Sequence, residues 1–205
     1  MIIPVPRRRQ YFDLQRWRED GFSSIEDAKS WGHRACGLAC VAMLIEHHTG
    51  ERPTLSGLLW EGLRRDAYCP QGWLHAGLAG ILHEHGVVSA PMPLSYPDAL
   101  ASVVLGGTPV IASVSDEFPV DGRRGGHLVV VTGMAVKSGR VTTVFFNDPS
   151  EWGDSHDRVP GDRFAASFSG RVVVPATPTL SKNPTVSNPG ASVATLRDNR
   201  DACIS

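Results

Sequence analysis

The first hundred positions carry apolar residues at helical spacing. From Cys36 through Gly37, Leu38, Ala39, Cys40, Val41, Ala42, Met43 and Leu44 to Ile45, nearly every residue is apolar or small. That is the pattern of a helix buried all round rather than along one stripe. It is expected to run to about His48 and to stop at Gly50, because glycine takes the left-handed backbone that closes helices. Leu55, Leu58, Leu59 and Leu63 share one face of a second helix within Thr54–Leu63. Leu74, Leu78, Ile81 and Leu82 do the same within Trp73–His85, ended by Gly86. Ser23-Ser24-Ile25-Glu26 places hydroxyls ahead of a carboxylate and predicts a capped short helix toward Trp31. A further short helix is expected from Tyr96-Pro97-Asp98 to Leu105.

The period then changes. Pro109–Val114 and Gly125–Gly133 read as buried strands, and Gly139–Phe146 as the hairpin partner of the second, with Lys137-Ser138-Gly139 in the turn. Gly170–Val174 is a last strand, and Met1–Pro6 an extended lead. Helices first and antiparallel strands second predict an α+β fold of two segregated layers. Beyond that strand, Pro, Ser, Asn, Thr and charge leave little to bury. Residues 1–175 are therefore expected to form one domain and residues 176–205 a flexible polar tail.

Composition narrows the function classes. A chain of 205 residues with 41% hydrophobic and 20% charged residues has enough apolar material for one sizeable core. Its formal net charge of -1 gives no reason to expect nucleic acid or an anionic membrane as partner. No apolar run approaches the ~20 residues of a membrane span, so no membrane insertion is expected. Arg7, Arg8 and Arg9 are followed by a polar stretch rather than the apolar core of a secretion signal, and read as a solvated run. The four cysteines, Cys36, Cys40, Cys69 and Cys203, lack the look of a disulfide framework, which points to a reduced, cytoplasmic chain. No phosphate-binding loop or dinucleotide fingerprint occurs, and His47, His48, His83 and His85 read as helix-end residues without a zinc set. Neither cofactor nor metal is expected.

Three positions carry nucleophilic chemistry. Cys36 opens the buried helix, where the positive end of the helix dipole favours thiolate. His127 opens a strand behind Gly125 and Gly126, whose missing side chains let a substrate backbone approach. Asp148 ends the next strand in Phe146-Asn147-Asp148-Pro149. Adjacent antiparallel strands can set its carboxylate beside His127, giving a nucleophile, a base and an orienter. Asn147 is the rival for the third place. Cys40 and Cys69 read as packing, whereas His33 and Trp73 are candidates for lining a cleft.

This order of cysteine-glycine at a buried helix, Gly-Gly-His-Leu-Val-Val-Val-Thr-Gly, and Asn-Asp-Pro resembles the bacterial C39-like cysteine peptidases of the papain-like superfamily. The resemblance implies a papain-like α+β fold, with a helical half bearing Cys36, a sheet half bearing His127 and Asp148, and the site in the cleft between. It implies hydrolysis of a peptide or acyl substrate through an acyl-thioenzyme. The same triad would serve an acyltransferase or cyclase acting on a carrier-protein thioester, and a degenerate binding module would keep the fold alone. The family carries a glutamine shortly before the cysteine as oxyanion donor. Ser30-Trp31-Gly32-His33-Arg34-Ala35 contains none. Gln10, in a similar Pro-rich and aromatic lead followed by a longer insertion, is the preferred donor, with Gln15 as the alternative.

Overall fold

The computed structural model describes residues 1–176 of the chain. Helices α1 (Ile25–Gly32), α2 (Cys36–Thr49) and α3 (Leu55–Arg64) come first, followed by a two-strand hairpin, β1 (Tyr68–Cys69) and β2 (Gly72–Trp73), and by α4 (His75–Glu84). The rest of the chain alternates as β3 (Ser89–Pro93), α5 (Asp98–Leu105), β4 (Val110–Val114), β5 (His127–Lys137), β6 (Arg140–Asn147), β7 (Arg158–Pro160), α6 (Gly161–Ser167) and β8 (Arg171–Pro175). The helix ends follow their local chemistry. Ser24 caps α1 by accepting from the Asp27 N–H, Thr54 caps α3 by accepting from that of Gly57, and Gly50 closes α2 at φ 77°. Every residue of α2 from Gly37 to Glu46 is buried, as its all-round apolar pattern requires.

Six strands form one antiparallel sheet in the order β3-β8-β4-β5-β6-β7. The Val-rich strands alternate between two cores. Ile111, Leu128, Val130 and Val173 pack with α2, α3 and α4, whereas Val110, Ala112, Val129, Val131 and Val172 face α5 and α6. The sheet is thus covered on both faces, one layer more than the two expected. That is why Leu128–Val131 is an unbroken apolar run rather than an alternating one. Two strands of this sheet escape the sequence pattern. The edge strand β3 contains Pro91 and Pro93, which edges tolerate, and β7 is three residues long.

The N-terminal lead is a strap that laces the two halves together. Ile2 pairs with Gly133, and the Ile3 N–H donates to the Thr132 carbonyl at 2.7 Å. A Cβ on Gly133 would stand 2.7 Å from the Met1 carbonyl oxygen, so the lead can cross β5 only at a glycine. Further along, Arg8 meets Glu46 of α2 at 3.0 Å. Arg7 and Arg9 both pair with Asp154. The reading of Arg7–Arg9 as a solvated run holds only for the exposed Arg9: Arg7 and Arg8 are half-buried, and each of the three has a structural partner. No described helix is long and apolar enough to cross a membrane. The polar tail expected at 176–205 lies, apart from Ala176, outside the described residues.

Candidate active site

Cys36 is the first residue of α2 and remains partly exposed, while the helix behind it is sealed. Its position follows from the turn before it. The Trp73 indole N–H donates to the Arg34 carbonyl at 2.7 Å, and Ala35 is fully buried. Gly37 allows the helix to sit close: a Cβ there would meet Leu128 Cδ1 at 3.0 Å and Leu78 Cδ1 at 3.1 Å. Four residues on, Cys40 is fully buried and its Sγ lies 3.3 Å from the Leu128 carbonyl, to which it donates. Burial pushes the Cys40 thiol well above its ordinary pKa, so it stays protonated and packs. Cys36 and Cys40 are free thiols.

His127 starts β5, paired with Val114 of β4. The Val130–Asn147 register brings the turn after β6 alongside it. Asp148 is fully buried there, and its Oδ1 lies 2.9 Å from His127 Nε2. The same oxygen accepts the Ser150 N–H at 2.8 Å, an Asx turn that restrains the carboxylate. The Cys36 side chain lies near enough to the His127 ring to favour its charged form. With Nε2 given to Asp148, the nitrogen left for Cys36 is Nδ1. Burial disfavours the imidazolium, but the bond to Asp148 and the nearby Cys36 sulfur outweigh it and push His127 up to about 10. Burial likewise opposes the Asp148 carboxylate, and the His127 bond and charge still hold it below the usual carboxylate range.

The three residues expected to act together are therefore adjacent. Asn147 is elsewhere: its side-chain N–H donates to the Val5 carbonyl at 2.7 Å. A cleft of about 550 Å³ opens beside Cys36, with His33, Trp73, Ser113, Gly126 and His127 in its wall. The two candidates, His33 and Trp73, are both in its wall, Trp73 as a residue that also belongs to the core, and Gly126, at φ 92°, leaves open space where a side chain would stand.

The glutamines separate clearly. Gln15 is exposed. Gln10 is buried, and its Nε2 donates at 2.9 Å to the carbonyl of Gly32, 22 residues away on the approach to Cys36. Its own N–H donates to the Pro149 carbonyl at 3.0 Å, next to Asp148. Gln10 accordingly lies between the nucleophile turn and the Asp148 turn, although it is not among the residues lining the cleft.

Two neighbours escaped sequence reading. Asp116, exposed and just past β4, brings a second carboxylate within 4.8 Å of the donor atoms of His127 and Asp148. Arg7 donates from Nε to the Asp148 carbonyl at 2.6 Å and from Nη2 to the Ser150 carbonyl at 2.7 Å. Neither sits in a motif, since each reaches the site only through the fold.

No family model matches the chain, and no curated protein matches it by sequence. Solved structures do match it in three dimensions. A C39-like peptidase from Bacillus anthracis superposes with a TM-score of 0.57 at 16% identity, covering 86% of this chain and 97% of that one. A double-glycine-motif protease from an AMS/PCAT transporter, solved with its leader peptide, superposes with a TM-score of 0.51 at 19% identity, covering 85% and 94%. Coverage of nearly the whole of both neighbours means that the likeness extends across the helical half, the sheet and the cleft between them. The chain has the papain-like α+β fold of the C39 peptidase domains.

Proposed function

We propose that the protein is a papain-like cysteine hydrolase that cleaves peptide or related amide bonds, with Cys36 as nucleophile, His127 as base and acid, and Asp148 as orienter. The observation that carries this reading is the 2.9 Å bond from buried Asp148 to His127, a ring that lines the same cleft as Cys36 and feels its sulfur. The Cys36 sulfur attacks the substrate carbonyl carbon as a thiolate. Its proton is held by His127, which hands it to the leaving nitrogen as the C–N bond breaks. Water, deprotonated by the same ring, then hydrolyses the thioester and returns the thiol. The oxyanion of each tetrahedral adduct lies at the start of α2, where the Cys36 N–H and the second Nε2 hydrogen of Gln10 are its donors. The bond from Gln10 to Gly32 favours this role, because it ties the amide to the turn that delivers Cys36. The transporter protease with the same fold was solved with a leader peptide, which supports an extended peptide in the cleft beside Gly126.

Iodoacetamide labelling of Cys36 from pH 5 to 10, mapped by mass spectrometry, tests the reading. The thiol should react far faster than free cysteine at neutral pH. The His127→Ala variant should lose roughly a hundred-fold of that rate. Equal rates in wild type and variant, no faster than free cysteine, would leave a binding module with a papain-like fold. Intact-mass measurement with peptides and with carrier-protein thioesters identifies the acyl donor. Loading of Cys36 by thioesters but not by peptides would replace hydrolysis with acyl transfer or cyclisation.

A further inference from the structure

We infer that Arg7 is a positioning residue that holds Asp148 in hydrogen-bond contact with His127. The inference rests on the proposed triad and adds to it a requirement located 141 residues away in sequence. The turn that carries Asp148 has no ladder of its own. β6 ends at Asn147, and Pro149 has no N–H to continue one. The three successive carbonyls of Asp148, Pro149 and Ser150 are instead all bonded by the N-terminal strap. Arg7 Nε takes Asp148, the Gln10 N–H takes Pro149, and Arg7 Nη2 takes Ser150. The third arm of the guanidinium, Nη1, is braced by Asp154 at 2.8 Å. One planar fork thereby fixes the two carbonyls that flank Pro149, which a lysine, a single point donor, cannot do.

An independent feature keeps the space for this fork. Gly153 lies against the same turn, and a Cβ there would fall 2.2 Å from the Asp148 carbonyl oxygen and 2.9 Å from Arg7 Nη2. Any side chain at 153 would displace one or the other. Asp148 itself adds no further anchor: of its carboxylate, only Oδ1 is bonded, to His127 and Ser150, while Oδ2 is buried without a partner. The direction of the carboxylate is thus set by the backbone of its turn, and the backbone by Arg7.

The test is the rate of iodoacetamide labelling at Cys36 across pH 5 to 10 in Arg7→Lys, Arg7→Ala, Gly153→Ala, Asp148→Asn and the Arg7→Ala/Asp148→Asn double variant, with melting temperatures for each. Arg9→Ala is the control, since the hydrogen bonds of the Arg9 side chain go to Asp154 and not to the carbonyls of the Asp148 turn. Arg7→Lys keeps the charge and most of the length, so it provides a folded variant even if the others melt. At pH 7, Arg7→Lys, Arg7→Ala and Gly153→Ala should each slow labelling about ten-fold, the consequence of losing a charge-assisted bond. Their pH profiles should match that of Asp148→Asn, and Arg9→Ala should stay within about two-fold of wild type. In the Asp148→Asn background, Arg7→Ala should add less than about two-fold, because both changes break one link. Wild-type labelling in Arg7→Lys and Arg7→Ala, with slow labelling in Asp148→Asn, would overturn the role of Arg7 and leave the triad standing. Multiplicative losses in the double variant would also overturn it. Wild-type labelling in Asp148→Asn and His127→Ala would remove the triad itself.

Discussion

The two ends of the proposed catalytic line are held by different physics. Cys36 is seated by packing. Behind it Leu38, Ala39, Cys40 and Val41 are completely buried, Gly37 lies against Leu128 and Leu78, and α2 has no side-chain cap at Ala35. Asp148 is just as buried, yet its seat is a turn of polar bonds: His127 and Ser150 on the carboxylate, Arg7 and Gln10 on the carbonyls. Packing is non-directional and responds to volume. Hydrogen bonds respond to angle, charge and protonation. A nucleophile needs a fixed place from which to attack, which a filled core supplies. An orienter needs a fixed direction, which only directional bonds supply. His127 joins the two, its backbone in the sheet and its ring between a packed sulfur and a tethered carboxylate.

The largest expected effect falls on the packed side. Leu38 has no exposed surface and sits in the first turn of α2. Leu38→Ala should destabilise the protein by about 2–5 kcal/mol through lost transfer energy and the cavity left behind. Thermal denaturation measures that loss. Well below the lowered melting temperature, the rate of Cys36 labelling should stay near wild type, because the polar links to His127 are untouched. If labelling collapses in protein that is still folded, the division between a volume-set seat and a direction-set seat is wrong.

The next effect sharpens the comparison through pH. His127 has a folded pKa of about 10, above its ordinary 6.5. Its contribution to stability is therefore fully present below about pH 6.5 and fades as pH rises toward 10. Asp148 is shifted the other way, so its contribution is present above its ordinary 3.8 and is lost as pH falls through its lower folded value. The difference in melting temperature between wild type and His127→Ala should accordingly be widest from about pH 4 to 6.5 and shrink steadily up to pH 10. The deficit of Leu38→Ala should not change over that range, since the side chain removed belongs to the apolar core and carries no titrating group. A wild-type advantage over His127→Ala that grows with pH would contradict the assigned direction of the shift.

How much of this was legible in the chain follows the same division. Packing writes itself locally. The apolar run after Cys36, the glycine stops at Gly50 and Gly86, and the Val-rich strands gave α2, α4, β4 and β5 within a residue or two, apart from the longer C-terminal end of β5. Trp73 fell outside its helix and into β2 because the Tyr68–Trp73 pairing captured it. The site was legible where a local signal marked it: a cysteine at a helix start, a histidine behind two glycines, an aspartate before proline. The strap was not. Three adjacent arginines look the same whether they face water or reach Asp148, Glu46 and Asp154, and only the fold distinguishes these. The unbroken apolar run Leu128–Val131 did mark a strand buried on both faces, but it could not say that α5 and α6 would be the elements covering the far one.

The smallest effect concerns Asn147, which adjoins Asp148 and was its rival for the third place in the triad. As successive residues at the end of β6 they point to opposite sides, and their partners differ accordingly. Asp148 takes His127, while Asn147 donates to the Val5 carbonyl of the strap. Asn147→Ala removes one hydrogen bond of a half-buried amide and leaves the Val5 carbonyl to find water. The expected loss is about 1 kcal/mol in thermal denaturation, with Cys36 labelling within about two-fold of wild type. Asp148→Asn differs in kind: it keeps the size of the side chain but should slow labelling about ten-fold or more. The pair of neighbours thus separates holding from orienting within two residues. If Asn147→Ala slowed labelling as much as Asp148→Asn, the strap would set the imidazole through Val5 and Asn147, and the carboxylate would lose its separate role.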